Sequence, residues 1–252
     1  MKRLLKLLIK TNQQTSIYFE KYFPQTKVFI IDTYNKITSS IINSKSNQLI
    51  LDCGCGIKTT YSKFCDQTLK NKIIGFDLSI RAYENKDVDQ VIIHDITKVS
   101  PFNVRSIDII TSSSMLEHLN EVESFIRHSS EILKKDGIFI CLFANRFAPF
   151  AILNRLLPNK ISKRLLYFFR SSMIDQGGQK GYYNKCTYYE IYRLLHKYNF
   201  AVTNSYFYYY QSFYFDFFFP LYFYSGIYEL ILKLLKNKIL CSHMIITARK
   251  KE

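Results

Sequence analysis

The chain has no tryptophan and only 8 glycines among its 252 residues, whereas lysine, asparagine, isoleucine, phenylalanine and tyrosine are abundant. An A/T-rich coding sequence produces this kind of bias, and it would also raise the formal net charge, which is +15. A basic protein equally suits an anionic partner such as nucleic acid, a phospholipid surface or a phosphate-bearing acceptor. Composition therefore leaves both origins of the charge open, and the positions of the basic residues carry more information than their total.

The six cysteines form no Cys-x-x-Cys pair. This spacing supports neither a structural zinc site nor a disulfide framework. We therefore expect reduced thiols, no metal site and a cytoplasmic location. The cysteines lie at positions 53, 55, 65, 141, 186 and 241.

Long uninterrupted apolar runs are also missing. The segment Met1–Lys10 starts like a secretory signal, but Lys6 falls inside its apolar stretch and no small-residue cleavage site follows, so a signal peptide is not expected. Leu4, Leu7 and Leu8 share one helical face, and Lys2, Lys6 and Lys10 lie elsewhere. The segment therefore suits either an interfacial helix or an ordinary helix that packs on the domain.

An aromatic-rich tract occupies residues 206–224, where most residues are Phe or Tyr. Asp216 and Pro220 interrupt the tract, and a spanning helix needs about 20 apolar residues, so it is not expected to cross a membrane. The following stretch, 227–238, is amphipathic with lysines toward its end. Rings with polar tips and a basic amphipathic helix suit a membrane interface. A strand followed by a core-capping helix is the alternative.

Apolar runs alternate with helix-like segments along the chain, which predicts an α/β fold with a mostly parallel sheet. The run Leu49–Leu51 stops at Asp52, and two glycines follow at Gly54 and Gly56. Glycine lacks a Cβ, so the backbone there can turn tightly and approach a ligand closely. The dinucleotide fingerprint needs a third glycine where Thr59 stands, so NAD is not the expected cofactor. The pattern instead predicts a strand–loop–helix unit that binds another nucleoside cofactor.

The Asp-x-Gly-x-Gly loop, with a second aspartate at Asp77 after the next apolar run, resembles the class I S-adenosylmethionine (SAM)-dependent methyltransferases. More narrowly, it resembles the type 11-like members that act in cell-surface glycan and lipid biosynthesis. The resemblance continues through Gln90–Ile96 and Ser106–Ile110 to the Leu-Glu-His signature within Met115–Leu119, and it covers roughly residues 45 to 145. It implies a Rossmann-like fold with a mostly parallel seven-stranded sheet flanked by helices and an antiparallel last strand.

The later elements are also expected from this pattern. Glu121–Lys135 has helical periodicity and should be closed by Gly137 in the left-handed region, before a strand at Ile138–Phe143. Tyr188–Tyr198 has helix-like apolar spacing, and His243–Lys250 resembles the final antiparallel strand.

The resemblance divides the chain into four expected segments. They are an N-terminal helical cap (1–44), a SAM-binding Rossmann-like core (45–146), a basic and apolar insertion that faces the acceptor or a membrane (147–185), and a C-terminal completion of the sheet (186–252). The last segment contains an aromatic-rich insertion at 206–238.

The resemblance also implies which residues bind SAM. Gly54 and Gly56 would line its methionine part, Asp77 would accept hydrogen bonds from both ribose hydroxyls, and Asp95 with Ile96 would meet the adenine. A carboxylate suits a diol because both of its oxygens accept hydrogen bonds. The complete expected set is Asp52, Gly54, Cys55, Gly56, Asp77, Leu78, Asp95, Ile96 and Ser113.

Three positions carry an alternative. Asp52 either orders the loop and the cofactor's amino group or caps a turn. Lys58 departs from the pattern, because many relatives carry a third glycine there. His118 is the candidate catalytic base, since imidazole titrates near neutral pH and the residue follows the fourth strand. A packing or orienting role stays open for His118, because methyl transfer is an in-line displacement that needs a base only when the acceptor must lose a proton.

We therefore expect a SAM-dependent methyltransferase that acts on a sugar, glycolipid or lipid-linked acceptor, at the inner face of a membrane and in contact with anionic lipid. An RNA methyltransferase is one alternative. The Asn/Asp-Pro-Pro-Tyr/Phe motif of base-amine methylases is absent, and Thr111–Ser114 stands at the equivalent strand end, so nucleic acid is not the expected partner. The other alternative is a non-catalytic SAM-fold protein that binds a membrane peripherally. The intact Asp77 and Asp95 argue against a decayed cofactor site.

Overall fold

The computed structural model describes residues 2–23, 29–98, 101–169 and 180–251. Packing groups the chain into two compact units. Unit 1 contains Met1–Phe29, Phe147–Gly181 and Phe207–His243, and unit 2 contains Ile30–Arg146, Tyr182–Tyr206 and Met244–Glu252. The four segments expected from the sequence remain predictions, and residues 170–179 of the 147–185 insertion lie outside the described residues.

The sheet formed by the described residues has seven strands, which are β1 (Leu49–Cys53), β2 (Lys72–Asp77), β3 (Gln90–Ile93), β4 (Ile107–Ser113), β5 (Leu133–Ala144), β6 (Phe200–Tyr208) and β7 (His243–Lys250). Their order is β3-β2-β1-β4-β5-β7-β6. Strands β1 to β5 pair in parallel. Strand β6 runs antiparallel to β7, because Ser242 N donates to Tyr208 O at one end and Lys251 N donates to Asn199 O at the other. The predicted Rossmann-like sheet is confirmed.

The apolar runs of β1 and β4 form the centre of this sheet. Ile50 lies beside Ile109, and Leu51 lies beside Ile110, in parallel register. All four side chains are buried. Strands buried on both faces need apolar side chains at successive positions, which explains why they appear as continuous apolar runs in the sequence.

The α-helices in the described residues are α1 (Lys2–Glu20), α2 (Ile30–Ile42), α3 (Val122–Ile132), α4 (Pro149–Leu156), α5 (Asn159–Phe169), α6 (Tyr188–Lys197) and α7 (Phe219–Leu234). Helix α6 and strand β7 confirm two of the expected elements. The prediction of a helix after the glycine loop is wrong. Residues 54–71, all of which are described, form only 3₁₀ turns, at Ser62–Phe64 and Gln67–Leu69. Asp66 Oδ1 accepts hydrogen bonds from the Thr68 N–H and hydroxyl, at 2.9 and 2.7 Å. Such local bonds compete with a continuous helix.

The boundary between α3 and β5 also differs from the expectation. The helix ends at Ile132 and the strand starts at Leu133, which lies beside Ile107 in the sheet. Asp136, not Gly137, has a positive φ, of 63°. Gly137 is required for space instead, since a Cβ there would lie 2.8 Å from Lys134 O. Pairing with β4 therefore overrides the helical periodicity of these residues.

Helices α1 and α7 pack together within unit 1 through phenylalanine rings. The ring centroid of Phe19 lies 4.8 Å from that of Phe219 and 6.3 Å from that of Phe223, which is also 5.9 Å from Phe23. The aromatic-rich tract forms the end of β6, a 3₁₀ turn at Ser212–Phe215 and the start of α7. In the part of the chain that the structure describes, no helix has the length and apolarity needed to span a bilayer.

Candidate functional site

The carboxyl ends of β1, β2, β3 and β4 meet at one edge of the sheet. The register aligns Cys53 with Phe76 and with Ser112, and Asp77 with Ile93. The loops that follow these strands therefore lie around one crevice, which is where open α/β sheets bind ligands.

Gly54 and Gly56 form the loop after β1 and both adopt the left-handed region, with φ of +73° and +50°. The Gly54 N–H donates to Phe76 O at 2.7 Å. A Cβ on Gly54 would lie 2.8 Å from the Met115 Cγ, so both conformation and space require glycine there. A Cβ on Gly56 would meet nothing within 4 Å, so the space beside that residue is open.

Two other residues of the loop, Cys55 and Lys58, differ in burial and in backbone conformation from the glycines. Cys55 is buried, and burial raises the pKa of its thiol to about 12. Its Sγ lies 2.7 Å from the point where a Cβ on Gly75 would stand, so the side chain packs on β2. Lys58 is exposed and has no positive φ, so this turn does not require the third glycine that many relatives carry.

Asp77, at the end of β2, is tied to the glycine loop. Its Oδ2 accepts the Gly56 N–H at 2.9 Å, and its Oδ1 accepts the Ser79 N–H at 2.8 Å. Each carboxylate oxygen accepts more than one hydrogen bond, so both retain capacity for a further donor. The next residue, Leu78, is 72% exposed, so an apolar side chain stands uncovered beside the carboxylate.

Asp52 lies at the centre of a buried polar network. Its Oδ2 accepts the Thr59 hydroxyl at 2.6 Å and its Oδ1 accepts the Thr111 hydroxyl at 2.8 Å. The Tyr61 hydroxyl lies 2.9 Å from the same Thr111 oxygen. Burial raises the pKa of Asp52 to about 6, although the two threonine hydrogen bonds act in the opposite direction. These contacts link β1, the loop and β4. A contact between Asp52 and the amino group of the cofactor remains a prediction.

Asp95 and Ile96 follow β3 and are half-buried. Asp95 Oδ1 accepts the N–H and the hydroxyl of Thr97, at 2.9 and 2.7 Å. Partial burial raises the pKa of Asp95, but the Thr97 hydrogen bonds and nearby Lys98 outweigh it, so the pKa lies below its usual value. Asp95 is therefore an ionised acceptor beside the end of β2. Ser113, the last residue of β4, is half-buried at the same edge.

His118 ends a 3₁₀ turn, Leu116–His118, that follows β4, and its side chain is half-buried. Its neighbour Glu117 is buried, and burial raises the pKa of that carboxyl. The Glu117 carbonyl accepts the N–H groups of Tyr182 and Tyr183, at 2.8 and 3.0 Å. The motif therefore anchors the 182–183 segment to the end of β4, and a catalytic role for His118 remains a prediction.

Two residues that the sequence did not single out hold the loop from the connection between β2 and β3. Asn85 is 5% exposed, and its side-chain amide reaches the carbonyls of Cys55 and Gly56, each at 3.2 Å. Asp87 Oδ2 accepts the Thr59 N–H at 3.1 Å. No local sequence signal marks these residues, because their partners lie more than 25 positions away in the chain.

A charged groove lies near the same edge, where the chain leaves β4 and β5. Its volume is about 640 Å³. Within it, Glu123 accepts hydrogen bonds from Lys185 at 2.5 Å, Lys197 at 2.6 Å and Tyr198 at 3.0 Å, and these hold its pKa at about 2. The lining residues are Asn120, Glu121, Val122, Glu123, Ser124, Arg127, Arg146, Asn184, Lys185, Glu190 and Tyr198.

The residues at the crevice fit SAM. Asp77 offers two acceptor oxygens for a diol, Leu78 offers an exposed apolar surface for a flat base, and the open space beside Gly56 can accept a ligand against the backbone. Within the described residues, no group of three or more potential metal ligands comes together.

Residues 51–141 match the model of a family described as a methyltransferase domain. This segment resembles a methyltransferase domain. It contains the glycine loop, Asp77, Asp95 and His118, and the match confirms the class I SAM-dependent methyltransferase resemblance and the SAM cofactor.

A ubiquinone biosynthesis O-methyltransferase of Pelagibacter ubique is 28% identical to the chain over 111 residues. The match covers 40% of this chain and 43% of that protein, so the chain spans less than half the length of the curated relative it matches. A SAM-dependent methyltransferase from Archaeoglobus fulgidus has a TM-score of 0.56 at 13% identity, with 92% of this chain and 100% of the other covered.

A geranyl diphosphate C-methyltransferase from Streptomyces coelicolor, solved with S-adenosyl-L-homocysteine, has a TM-score of 0.51 at 10% identity, with 87% of this chain and 79% of the other covered. At these identities the two structural likenesses establish the fold alone.

Proposed function

We propose that the protein transfers a methyl group from SAM to a sugar, glycolipid or lipid-linked acceptor at the surface of a membrane. The cofactor half of this proposal is supported by the glycine loop, Asp77 and Asp95. The acceptor half is supported by the surface of unit 1 and by the charged groove near the sheet edge. The exposed face of α7 is the observation that carries it.

SAM supplies an electrophilic methyl group when it is bound. The chain's own residues supply binding and orientation, with Asp77 as the acceptor for a ribose diol and Asp95 as an ionised group near the adenine. Holding the acceptor in line with the methyl group in a dry pocket accounts for much of the rate of such a displacement. His118 becomes relevant as a base only if the acceptor has to lose a proton.

Helix α7 buries two polar side chains alongside Tyr222 and Leu232, and it exposes a stripe of large apolar residues. Its buried side includes Ser225 and Glu229, and Glu229 is fully buried. Its exposed side carries large apolar residues. Soluble proteins rarely leave such a continuous apolar stripe uncovered, and it is typical of an interaction surface. The exposed apolar residues of the helix and its end are Leu221, Tyr224, Ile227, Ile231, Leu234 and Leu235.

Helix α1, in the same unit, adds exposed leucines at positions 4, 5, 7 and 8. Lys6 and Lys10 of the same helix are also exposed, as is Lys236 just after α7. Apolar side chains that insert below the headgroups, with lysines at their margin, fit an anionic lipid surface. We therefore assign lipid as the occupant of this surface, with the protein on the inner face of the membrane.

The charged groove supports a polar portion of the acceptor. Its amides, carboxylates and guanidinium groups are the kinds of side chain that hydrogen-bond to sugar hydroxyls. Two similar proteins are named for ubiquinone biosynthesis and for geranyl diphosphate methylation. An acceptor with a long apolar portion and a polar head agrees with the charged groove and with the names of these two proteins.

The test is incubation of the purified protein with methyl-labelled SAM and a whole-cell extract of the source organism, followed by separation into organic and aqueous phases. The Asp77→Ala variant is the control. Label in the organic phase with the intact protein alone is the expected result. Label confined to the aqueous phase contradicts the lipid-linked acceptor, and ribonuclease-sensitive label there supports an RNA substrate. No label in either phase, from a protein that binds SAM, contradicts the enzymatic proposal and supports a non-catalytic membrane protein.

A further inference from the structure

Asn85 ends the 3₁₀ turn Ile80–Glu84 and buries its side chain against the cofactor loop. Its Nδ2 lies 3.2 Å from Cys55 O, 3.2 Å from Gly56 O and 3.1 Å from the Thr59 hydroxyl. Its Oδ1 accepts the Asp87 N–H at 2.9 Å. Every hydrogen-bonding group of this amide is therefore used, and most of its bonds go to the loop that follows β1.

The contacts of Gly56 show what this amide does. The N–H of Gly56 donates to Asp77, and its carbonyl accepts from Asn85. Gly56 has a positive φ, and no neighbouring atom lies within 4 Å of the position of its Cβ, so side-chain packing does not hold it in place. The two hydrogen bonds fix the peptide groups on both sides of the residue.

The support for these carbonyls comes from outside the loop's own segment. A buried backbone carbonyl needs a hydrogen-bond partner. Residues 54–71 contain only 3₁₀ turns, and the carbonyls of Cys55 and Gly56 accept hydrogen bonds from a side chain of the connection between β2 and β3. The Thr59 hydroxyl connects Asn85 to Asp52, because it accepts a hydrogen bond from Asn85 and donates one to Asp52.

We propose that Asn85 is a positioning residue of the SAM site, which sets the affinity for the cofactor by holding the carbonyls of Cys55 and Gly56 in place. The inference rests on the proposed function, since it concerns the same cofactor. Asn85 acts through the loop. A carboxylate cannot replace its amide donors, because a carboxylate oxygen would then face the carbonyl oxygens of Cys55 and Gly56 with no hydrogen atom between them.

The chain contains a matched control at the opposite edge of the sheet. Asn71 precedes β2, and its Nδ2 donates to the carbonyls of Ile42 and Lys45, at 2.9 and 3.0 Å. Its Oδ1 accepts the Gln48 N–H at 2.8 Å. Asn71 therefore makes the same kind of clamp as Asn85, with two carbonyls and one backbone N–H, but it lies at the amino ends of β1 and β2.

The experiment compares Asn85→Asp with Asn71→Asp by thermal unfolding and by calorimetric titration with SAM and with S-adenosylhomocysteine. Both variants are expected to unfold at lower temperature than the original protein. Asn85→Asp should raise the Kd for both compounds at least tenfold, and Asn71→Asp should leave it within twofold. Hydrogen exchange at the Gly56–Thr59 amides should become faster in Asn85→Asp alone.

Other outcomes separate this inference from the proposed function. A folded Asn85→Asp protein with an unchanged Kd, or an equal rise in Kd for both variants, overturns the positioning role. Should Asn85→Asp fail to fold, Asn85→Ser removes the carbonyl contacts without adding charge and is judged by the same two criteria. Absence of SAM binding by the original protein overturns the cofactor assignment itself.

Discussion

The buried carboxyl of Glu229 makes the stability of unit 1 depend on pH. Four groups donate to it, namely the N–H groups of Gln211 and Ser212, the Ser212 hydroxyl at 3.2 Å and the Ser225 hydroxyl at 3.4 Å. Burial nevertheless raises its pKa from 4.5 to about 7, because desolvation of the charged form outweighs these hydrogen bonds. The carboxyl is therefore near half-protonated at neutral pH in the folded protein.

The direction of the effect follows from the sign of the shift. The folded state binds the proton more tightly than the unfolded state, so the stabilisation is complete below about pH 4.5 and is lost as pH rises through about 7. A shift of this size corresponds to roughly 3 kcal/mol of unfolding free energy between the two limits. Glu229→Gln keeps an acceptor oxygen for the two N–H groups and is neutral at every pH, so this contribution disappears in the variant.

The assay is urea unfolding of both proteins at pH 5 and pH 8. The original protein should lose about 2.5 kcal/mol more than Glu229→Gln between these pH values, because pH 5 lies slightly above the pKa of the unfolded state. Asp52 also has a raised pKa, of about 6, but it is present in both proteins and cancels in the comparison. Equal losses in the two proteins would refute the argument that Glu229 is desolvated in the folded state.

Three further predictions concern single side chains. Gly54→Ala should lower the free energy of unfolding by about 1–2 kcal/mol because of the positive φ, and by more because of the contact with Met115, and it should weaken SAM binding. In Gly226→Ala, the control in helix α7, the nearest atom to the new Cβ lies at 3.7 Å, so the free energy of unfolding in urea should be unchanged or higher. Leu234→Glu should lower binding to anionic vesicles by roughly 30-fold in a sedimentation assay, because a buried leucine contributes about 2 kcal/mol. Val104→Glu, which changes another highly exposed apolar residue, this one in unit 2, should not change vesicle binding. Glu123→Gln should flatten the loss of stability on acidification, because the low pKa of Glu123 gives stability above about pH 4.5 that is lost as pH falls toward 2.

The sequence predicts those parts of the fold whose signals are local. Runs such as Gln90–Ile93 and His243–Lys250 are strands with the expected bounds, because short segments with adjacent β-branched residues favour strands. The glycine loop was equally visible, since Gly54 and Gly56 both need a positive φ.

Other features depend on contacts between distant residues and had no local signal. The start of β5 at Leu133 is set by pairing with Ile107, which overrides helical periodicity. The contacts of Asn85 were missed because their carbonyl partners lie about thirty positions earlier in the chain. The burial of Glu229 in α7 was missed because a glutamate looks like a solvent-facing residue until its buried donors are seen.

The most direct test of the cofactor site is calorimetric titration of SAM into the original protein, Asp77→Asn and Asp108→Asn. Asp108 is the matched control, because its Oδ2 also accepts a backbone N–H, that of Leu49, but at the opposite end of the sheet. Loss of two charge-assisted hydrogen bonds, each about 1.5 kcal/mol, predicts a Kd for Asp77→Asn that is roughly 100-fold higher. Asp108→Asn should bind SAM as the original protein does. Equal Kd values for all three proteins would contradict the assignment of Asp77 as the ribose acceptor and, with it, the account of this crevice as a SAM site.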